Sequence, residues 1–401
     1  MKIFVSSIII NDIGGIPTST VNFLSQISKH EDVTLCVMSN VIMPKKPLNP
    51  NIKIVKGSDY IQDSTTPLKY LSGQSFLRKL KRNVRRAIPR IIGYDNMVSI
   101  GLRDVRINEE YDIAIAYAND LYIDGKRIYG VDYDLVKSKV NAKKKIAWIH
   151  NDPYRCGFDH PLVKGLFDGF DAVVSVSYDN KKQLDAIFPQ NIHKSFVVYN
   201  MYDIDSLRRL SEEYTPSFQQ GKIHFVTVGR LRNEQKRIDR ILKTCHRLKQ
   251  EEKGDLLEWT IIGDGPDRLE YEKYIEENGI SEMVRLTGVL ANPYPYMKHA
   301  DAFVLTSDYE GYSMVIKEAQ SLGTPALITR FGPAKESVTD GENGIICDNS
   351  TEGVYEMIKE VLEQPEKLDE LRKKLARNPV TNARAFNQFY LACRGDRKSV
   401  V

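Results

Sequence analysis

Residues 302–335, AFVLTSDYEGYSMVIKEAQSLGTPALITRFGPAK, constrain the chain more than any other stretch. Two short apolar runs, 302–306 and 325–329, lie between polar residues and a Gly-Thr-Pro break. Runs of that length, so bounded, predict buried strands. Between them Met314, Ile316, Ala319 and Leu322 recur at roughly helical spacing until Gly323, a usual helix stop. Strand, loop, helix, strand is the crossover unit of a parallel sheet. In such sheets ligands lie beyond the carboxyl ends of the strands, where residues 307–313 fall. The loop offers Glu310, then Gly311, then backbone amides from Tyr312 to Val315 at a helix start. N–H groups with a helix dipole behind them suit a phosphate. Glu318 follows Glu310 by eight residues. Spacing alone fits a solvated helix residue equally well; its place after a buried strand and a glycine loop singles it out.

A chain of 401 residues is long enough for two domains with real cores. Its 42% apolar and 27% charged residues are those of an ordinary globular protein. A net charge of +4, without an aromatic-basic motif, gives no reason to expect nucleic acid as a partner. Five scattered cysteines form no CxxC pair and no Cys/His cluster. That predicts a reducing compartment, no disulfide framework and no structural zinc. The opening MKIFVSSIII carries two serines, lacks a cleavage site and runs straight into Asn-Asp-Ile-Gly-Gly, so a first buried strand is expected rather than a signal peptide. No window is long and apolar enough to span a bilayer. The expected location is cytoplasmic, or peripheral on the inner membrane face.

Strand and helix patterns alternate in two successive series with no fixed-period repeat. In the first, residues 2–10 lead to Gly14-Gly15 and a helix opened by Pro17. No GxGxxG follows, so NAD is not inferred; the glycines allow close backbone approach to a ligand, or make a plain tight turn. Further strands are expected at 33–38, 52–55, 113–117, 145–149, 172–176 and 195–198. His150, in WIHND, stands at a strand's carboxyl end, where either a ligand role or a structural one fits. Residues 201–221, with Pro216 and a polar run, read as the linker. The second series begins with a strand at 223–228 and the turn Gly229-Arg230-Leu231. Lys236-Arg237 then precede a helix, and a strand at 258–262 ends in Gly263-Asp264-Gly265-Pro266. The expected fold class is α/β, two doubly wound domains facing across a cleft. Expected bounds are 1–200, 201–380 and a tail, 381–401, whose Phe386, Phe389 and Tyr390 suggest one helix docking back on the first domain. The last residues, from Cys393 onward, are expected to be disordered.

Residues 76–92 stand apart. Leu77, Leu80, Val84, Ile88 and Ile91 recur at helical spacing among Arg78, Lys79, Lys81, Arg82, Arg85, Arg86 and Arg90, with no acid between them. Such a segment lies on an anionic membrane surface, or packs on its own domain with a solvated basic face. Two DxD triplets, at 132–134 and 203–205, invite a metal-nucleotide reading; neither follows a strand in the right place, and both are set aside.

Gly14-Gly15, WIHND, Asn200 in VVYNMYDID, Gly229-Arg230-Leu231 through Lys236, GDGP at 263–266 and EGYSMVIKE at 310–318 occur in one order over residues 1 to about 380. Together they resemble family 4 of the glycosyltransferases, retaining enzymes of the GT-B fold with two Rossmann-like domains. The resemblance implies an acceptor-side domain at 1–200 and a nucleotide-sugar domain at 201–380. It implies that Arg230 and Lys236 hold the donor diphosphate and that Glu318 bonds the nucleotide ribose. Glu310, Gly311 and the amides of Tyr312, Ser313, Met314 and Val315 then contact the donor, as do Gly229 and Gly263. His150 reaches the sugar, and Gly14-Gly15 face the diphosphate. Lys236-Arg237 departs from the family's more frequent Lys-Gly, and Phe331-Gly332-Pro333-Ala334 from its double-glycine loop.

Glu310 and Glu318 stand too far apart for a retaining hydrolase, whose carboxyls are about 5 Å apart. The cations instead meet the negative charge that develops on a leaving diphosphate. The expected function is a metal-independent retaining glycosyltransferase using a nucleotide sugar, most naturally a UDP-sugar, with no resident cofactor. Its acceptor is a glycan or lipid-linked glycan of surface polysaccharide assembly. A nucleotide-sugar isomerase of the same fold and a catalytically silent nucleotide-sugar binder stand as the alternatives.

Overall fold

The computed structural model describes residues 1–7, 14–38, 48–61 and 76–396. The expected end of the first strand at 8–10, the side chains of Arg78, Lys79, Lys81, Arg82, Arg86 and Arg90, and the tail 397–401 lie outside what is described. The chain divides into two compact units, one made of 1–202 with 382–401, the other of 203–381.

The first unit is built on β1 (Lys2–Ser7), β2 (Asp32–Val37), β3 (Lys53–Lys56), β4 (Glu110–Ala116), β5 (Leu121–Ile123), β6 (Lys126–Tyr129), β7 (Asn141–Ile149), β8 (Ala172–Ser175) and β9 (Ser195–Val197). Seven of these form one sheet in the order β3-β2-β1-β4-β7-β8-β9, and every pairing in it is parallel. β5 and β6 are a separate antiparallel hairpin. Ile3, Phe4 and Val5 are buried in succession, as expected of a parallel strand covered on both faces. The helix Ala383–Arg394 belongs to this unit. Its buried Phe389 packs against Phe23 and Trp148, ring centroids 5.4 and 6.5 Å away, and Gln388 Oε1 accepts the Tyr199 N–H at 3.0 Å.

The second unit has β10 (Ile223–Val228), β11 (Leu257–Ile262), β12 (Val284–Gly288), β13 (Ala302–Leu305), β14 (Ala326–Thr329) and β15 (Gly344–Cys347). All are parallel, in the order β12-β11-β10-β13-β14-β15. The order reverses between β10 and β13, the switch point at which doubly wound sheets bind ligands. β11, β13 and β14 are buried along their whole length. Trp259, on β11, packs on Phe225 and donates its indole N–H to Thr227 Oγ1 at 3.0 Å.

Two expectations are corrected. Cys393 and Arg394, expected to begin a disordered end, close the helix Ala383–Arg394, with Cys393 buried. Part of the supposed linker is the helix Ile204–Ser211, which belongs to the second unit and packs against helices Tyr294–His299 and Met314–Ser321. Asp203 caps it, its carboxylate accepting from the Ser206 N–H at 3.2 Å. Leu207 is its buried aliphatic anchor, beside Ser206 and Ser211; half-buried Ile204 and Leu210 complete an apolar stripe at every third residue, a short helical pattern that the linker reading passed over.

Candidate functional site

The carboxyl ends of β10 and β13 carry most of the residues the sequence singles out. Gly229 follows β10, and its N–H donates to Ile262 O at 3.0 Å. Gly263, after β11, has φ +146°, and a Cβ there would lie 1.8 Å from Gly229 O. Only glycine permits that approach of two turns, so the structure gives Gly263 a packing reason for being glycine. Arg230 is exposed on the same turn.

Lys236 closes the short helix Asn233–Lys236. Its methylene chain passes Gly229, where a Cβ would stand 3.4 Å from Lys236 Cε. Its ammonium donates to Glu310 Oε1 at 2.6 Å, and Ser307 Oγ donates to the same oxygen at 2.7 Å. Both partners are largely buried, their side chains 13% and 10% exposed. A cation and a carboxylate 74 residues apart thus meet at the switch point.

The loop after β13 is stitched to the turn that carries Lys236. Thr306 Oγ1 reaches the carbonyls of Lys236 and Arg237, both at 3.0 Å. The Asp308 N–H donates to Gln235 O at 2.9 Å. Arg237 Nη1 donates to Asp308 Oδ2 at 2.9 Å, and Arg240 Nη2 to Asp308 Oδ1 at 2.6 Å. Arg240 is buried and also donates to Thr306 O at 2.9 Å and to Asn349. Arg237 has φ +50° and ψ +46°, a left-handed backbone that costs a non-glycine residue about 1 kcal/mol.

Beyond the loop, Met314–Ser321 is a helix whose N-cap, Ser313, makes no side-chain cap bond. Tyr312, Ser313 and Met314 are buried, while Gly311 and Val315 are half-buried. Glu318 lies inside this helix, 4% exposed, and burial alone lifts its carboxyl from 4.5 to about 7. Burial likewise lowers the neighbouring Lys317 from 10.5 to about 8.

In the first unit Gly14 takes φ +112° at the N-cap of the helix Gly15–Ile27, and among the described residues nothing lies within 4 Å of a Cβ built on Gly15. Ser19 on that helix donates to Asn200 Oδ1 at 2.7 Å and meets Tyr117 OH at 2.9 Å. His150 follows β7. Its Nε2 stands 2.8 Å from Tyr117 O, its N–H donates to Asn119 Oδ1 at 3.1 Å, and its ring stacks on Trp148. Burial pushes its pKa down to about 3, so the ring is neutral. A carbonyl accepts only from N–H, which leaves Nδ1 as the acceptor.

Three of the four DxD aspartates have structural tasks. Asp132 accepts from Ser6, Asp134 pairs with Arg127, and Asp203 is the cap already described. The basic segment is the helix Phe76–Ile92, with Pro89 inside it. Leu80, Val84 and Ile91 are 50, 58 and 81% exposed. Arg85 lies over the Tyr60 ring and donates to Asp59 O at 3.3 Å. Among the described residues no helix is long and apolar enough to cross a membrane. Ser307, Asp308, Arg240 and Asn349 were not singled out by sequence reasoning; the polar trio Thr306-Ser307-Asp308 directly after a buried strand is the signal that marks the first two.

Residues 213–379 match the family described as Glycosyl transferases group 1. An uncharacterized glycosyltransferase of Methanocaldococcus jannaschii is 30% identical over 207 residues, 48% of this chain and 50% of that one. The N-acetylgalactosamine-N,N'-diacetylbacillosaminyl-diphospho-undecaprenol 4-alpha-N-acetylgalactosaminyltransferase of Campylobacter jejuni is 27% identical over 233 residues, 58% and 60% of the two chains. The chain thus spans about 50 to 60% of the length of these relatives. Among solved structures, Anabaena HepE in complex with UDP superposes with a TM-score of 0.59 at 14% identity, over 98% of both chains. The fold is GT-B, with a Rossmann-like sheet in each unit.

Proposed function

We propose that this chain, a member of the group 1 glycosyltransferases through its residues 213–379, transfers a sugar from a nucleoside diphosphate sugar with retention at the anomeric carbon. In our reading the donor is a UDP-sugar, and the acceptor a glycan or lipid-linked glycan of surface polysaccharide assembly. The name of the Campylobacter relative, which specifies a diphospho-undecaprenol-linked sugar, supports that acceptor class. UDP in the HepE complex supports the nucleotide.

The observation that carries the proposal is the Lys236–Glu310 pair at the switch point, with Glu310 on the loop that leads into the helix of the buried Glu318. When the bond from the anomeric carbon to the diphosphate oxygen breaks, negative charge grows on the diphosphate and positive charge on the sugar. Lys236, Arg230 and the amides opening the helix Met314–Ser321 meet the first. Glu310 sits where the second develops. The acceptor oxygen bonds to the anomeric carbon on the face the diphosphate leaves, and the leaving phosphate oxygen takes the acceptor's proton. Glu318 receives the ribose hydroxyls, whose donors replace the water its carboxylate lacks. Nδ1 of neutral His150 accepts from a sugar hydroxyl. With cations meeting the phosphate charge, no divalent metal is needed. The exposed apolar stripe of the basic helix holds the enzyme at an anionic membrane surface, on the cytoplasmic side.

UDP-, GDP- and ADP-sugars incubated with purified protein test this reading. A transferase releases free nucleoside diphosphate, slowly with water and faster with acceptor, and Glu310→Gln lowers turnover with little change in nucleotide affinity. An altered nucleotide sugar without free diphosphate identifies an isomerase, and tight binding without any turnover a silent binder.

A further inference from the structure

We infer that Arg237 is a positioning residue: its pairing with Asp308 fixes loop 306–310 so that Glu310 stays on Lys236. The inference rests on the donor site proposed above. Arg237 follows Lys236 directly and has a left-handed backbone, φ +50°. A turn needing only that conformation is satisfied by glycine without strain. The arginine side chain supplies what glycine lacks. Its Nε and Nη2 donate to the two Asp239 carboxylate oxygens at 3.0 and 3.2 Å, and its Nη1 to Asp308 Oδ2 at 2.9 Å.

Asp308 is two residues from Glu310, and its other oxygen is held at 2.6 Å by Arg240. Arg240 is anchored in the buried part of the helix Ile238–Gln250, whereas Arg237 belongs to the turn that carries Lys236. Asp308 therefore ties the Glu310 loop both to the body of the unit and to that turn.

The tether is separable from stability. Without Arg237, Asp308 keeps Arg240 and Asp239 keeps Lys243 at 2.9 Å, so neither carboxylate is left alone. Arg237→Gly also removes the backbone strain. A purely structural arginine and a positioning arginine thus predict different outcomes for one variant.

The experiment compares the full chain with its Arg237→Gly and Arg237→Lys variants. It follows melting, deuterium uptake of the peptide spanning 304–312, and nucleoside diphosphate release from the best UDP-, GDP- or ADP-sugar. Arg237→Gly is expected to melt no lower than the parent and to exchange about tenfold or more faster across 306–310. Its kcat is expected to fall about tenfold to a hundredfold, with donor KM changed little. Arg237→Lys restores part of the turnover, because an ammonium keeps charge but not the fork. Parent-like exchange in Arg237→Gly, or a lowered melting temperature, overturns the inference. So does parent-like turnover wherever the parent turns over. A parent that releases no diphosphate from any sugar overturns the transferase reading instead, and the exchange arm still decides the tether.

Discussion

Replacing Glu318 by glutamine is expected to stabilise the second unit above neutral pH while weakening nucleotide binding. The carboxyl is 4% exposed, and burial alone raises it from 4.5 to about 7. A carboxyl raised in the folded state favours folding fully below pH 4.5. That contribution drains away as pH climbs to about 7, because the unfolded chain ionises first. At about 1.4 kcal/mol per pH unit, the loss from pH 4 to pH 8 is about 3 kcal/mol. Glutamine cannot ionise, so the stability difference between variant and parent should grow by that amount across the window. The depressed Lys317 is common to both chains and cancels. Trp148 and Trp259 are the two tryptophans; in a Trp148→Phe background the fluorescence of Trp259 reports the second unit alone. Urea titrations at pH 4, 6 and 8 give the difference, and calorimetry with UDP gives the binding loss. A stability difference that stays flat from pH 4 to pH 8 would refute the reasoning, because the carboxylate would then be compensated in the free protein.

Three further outcomes follow from the site. Arg230→Ala or Lys236→Ala should each slow diphosphate release by about 100-fold, the cost of removing one preorganised oxyanion donor at about 3 kcal/mol; EDTA should change nothing, and activity lost to EDTA and restored by Mn²⁺ contradicts the metal-free proposal. Binding to anionic vesicles should fall with salt, surface charge being screened beyond about 8 Å at physiological ionic strength, and vanish when Arg82, Arg85 and Arg86 become Glu; equal binding to neutral vesicles refutes it. His150, depressed to about 3 by burial, stays neutral during turnover, so kcat should show no limb near pH 6.5, and its contribution to stability, full above pH 6.5, should decline as pH falls towards 3. Urea titrations of His150→Asn against parent between pH 7 and 4 read that decline.

The alternation of strands and helices was legible because parallel strands, buried on both faces, print short apolar runs between turn residues. β11, β13 and β14 are of that kind. So were the places of Gly229, Lys236, Glu310 and Glu318, since strand ends and helix starts are marked by local chemistry. The hairpin of β5 and β6 was not legible: strands of three and four residues carry too little alternation. The helix Ile204–Ser211 did carry its marks, an Asp203 cap and aliphatic residues at 204, 207 and 210, but Pro216 and the polar run beyond it drew the whole stretch into the linker. Within the site, the sequence offered Lys236 and Glu310 as separate contacts to a ligand. Their bond to each other spans 74 positions, and that of Arg240 to Asn349 spans 109. No window of sequence contains such pairs. The Lys236-Arg237 step was visible as a departure, but its left-handed backbone and its grip on Asp308 belong to the folded chain alone.

The helix Ala383–Arg394 sets an order on synthesis. The second unit, residues 203–381, is one unbroken segment and has all its parts as soon as Thr381 has cleared the ribosome. The first unit does not. Its sheet is translated early, yet Phe389, the ring that packs on Phe23 and Trp148, arrives only after the whole of the other unit has been made. Domains usually fold as they emerge, amino-terminal first. Here the amino-terminal unit waits with part of its aromatic core uncovered while some 180 residues are added, and the later-made unit is the first able to finish.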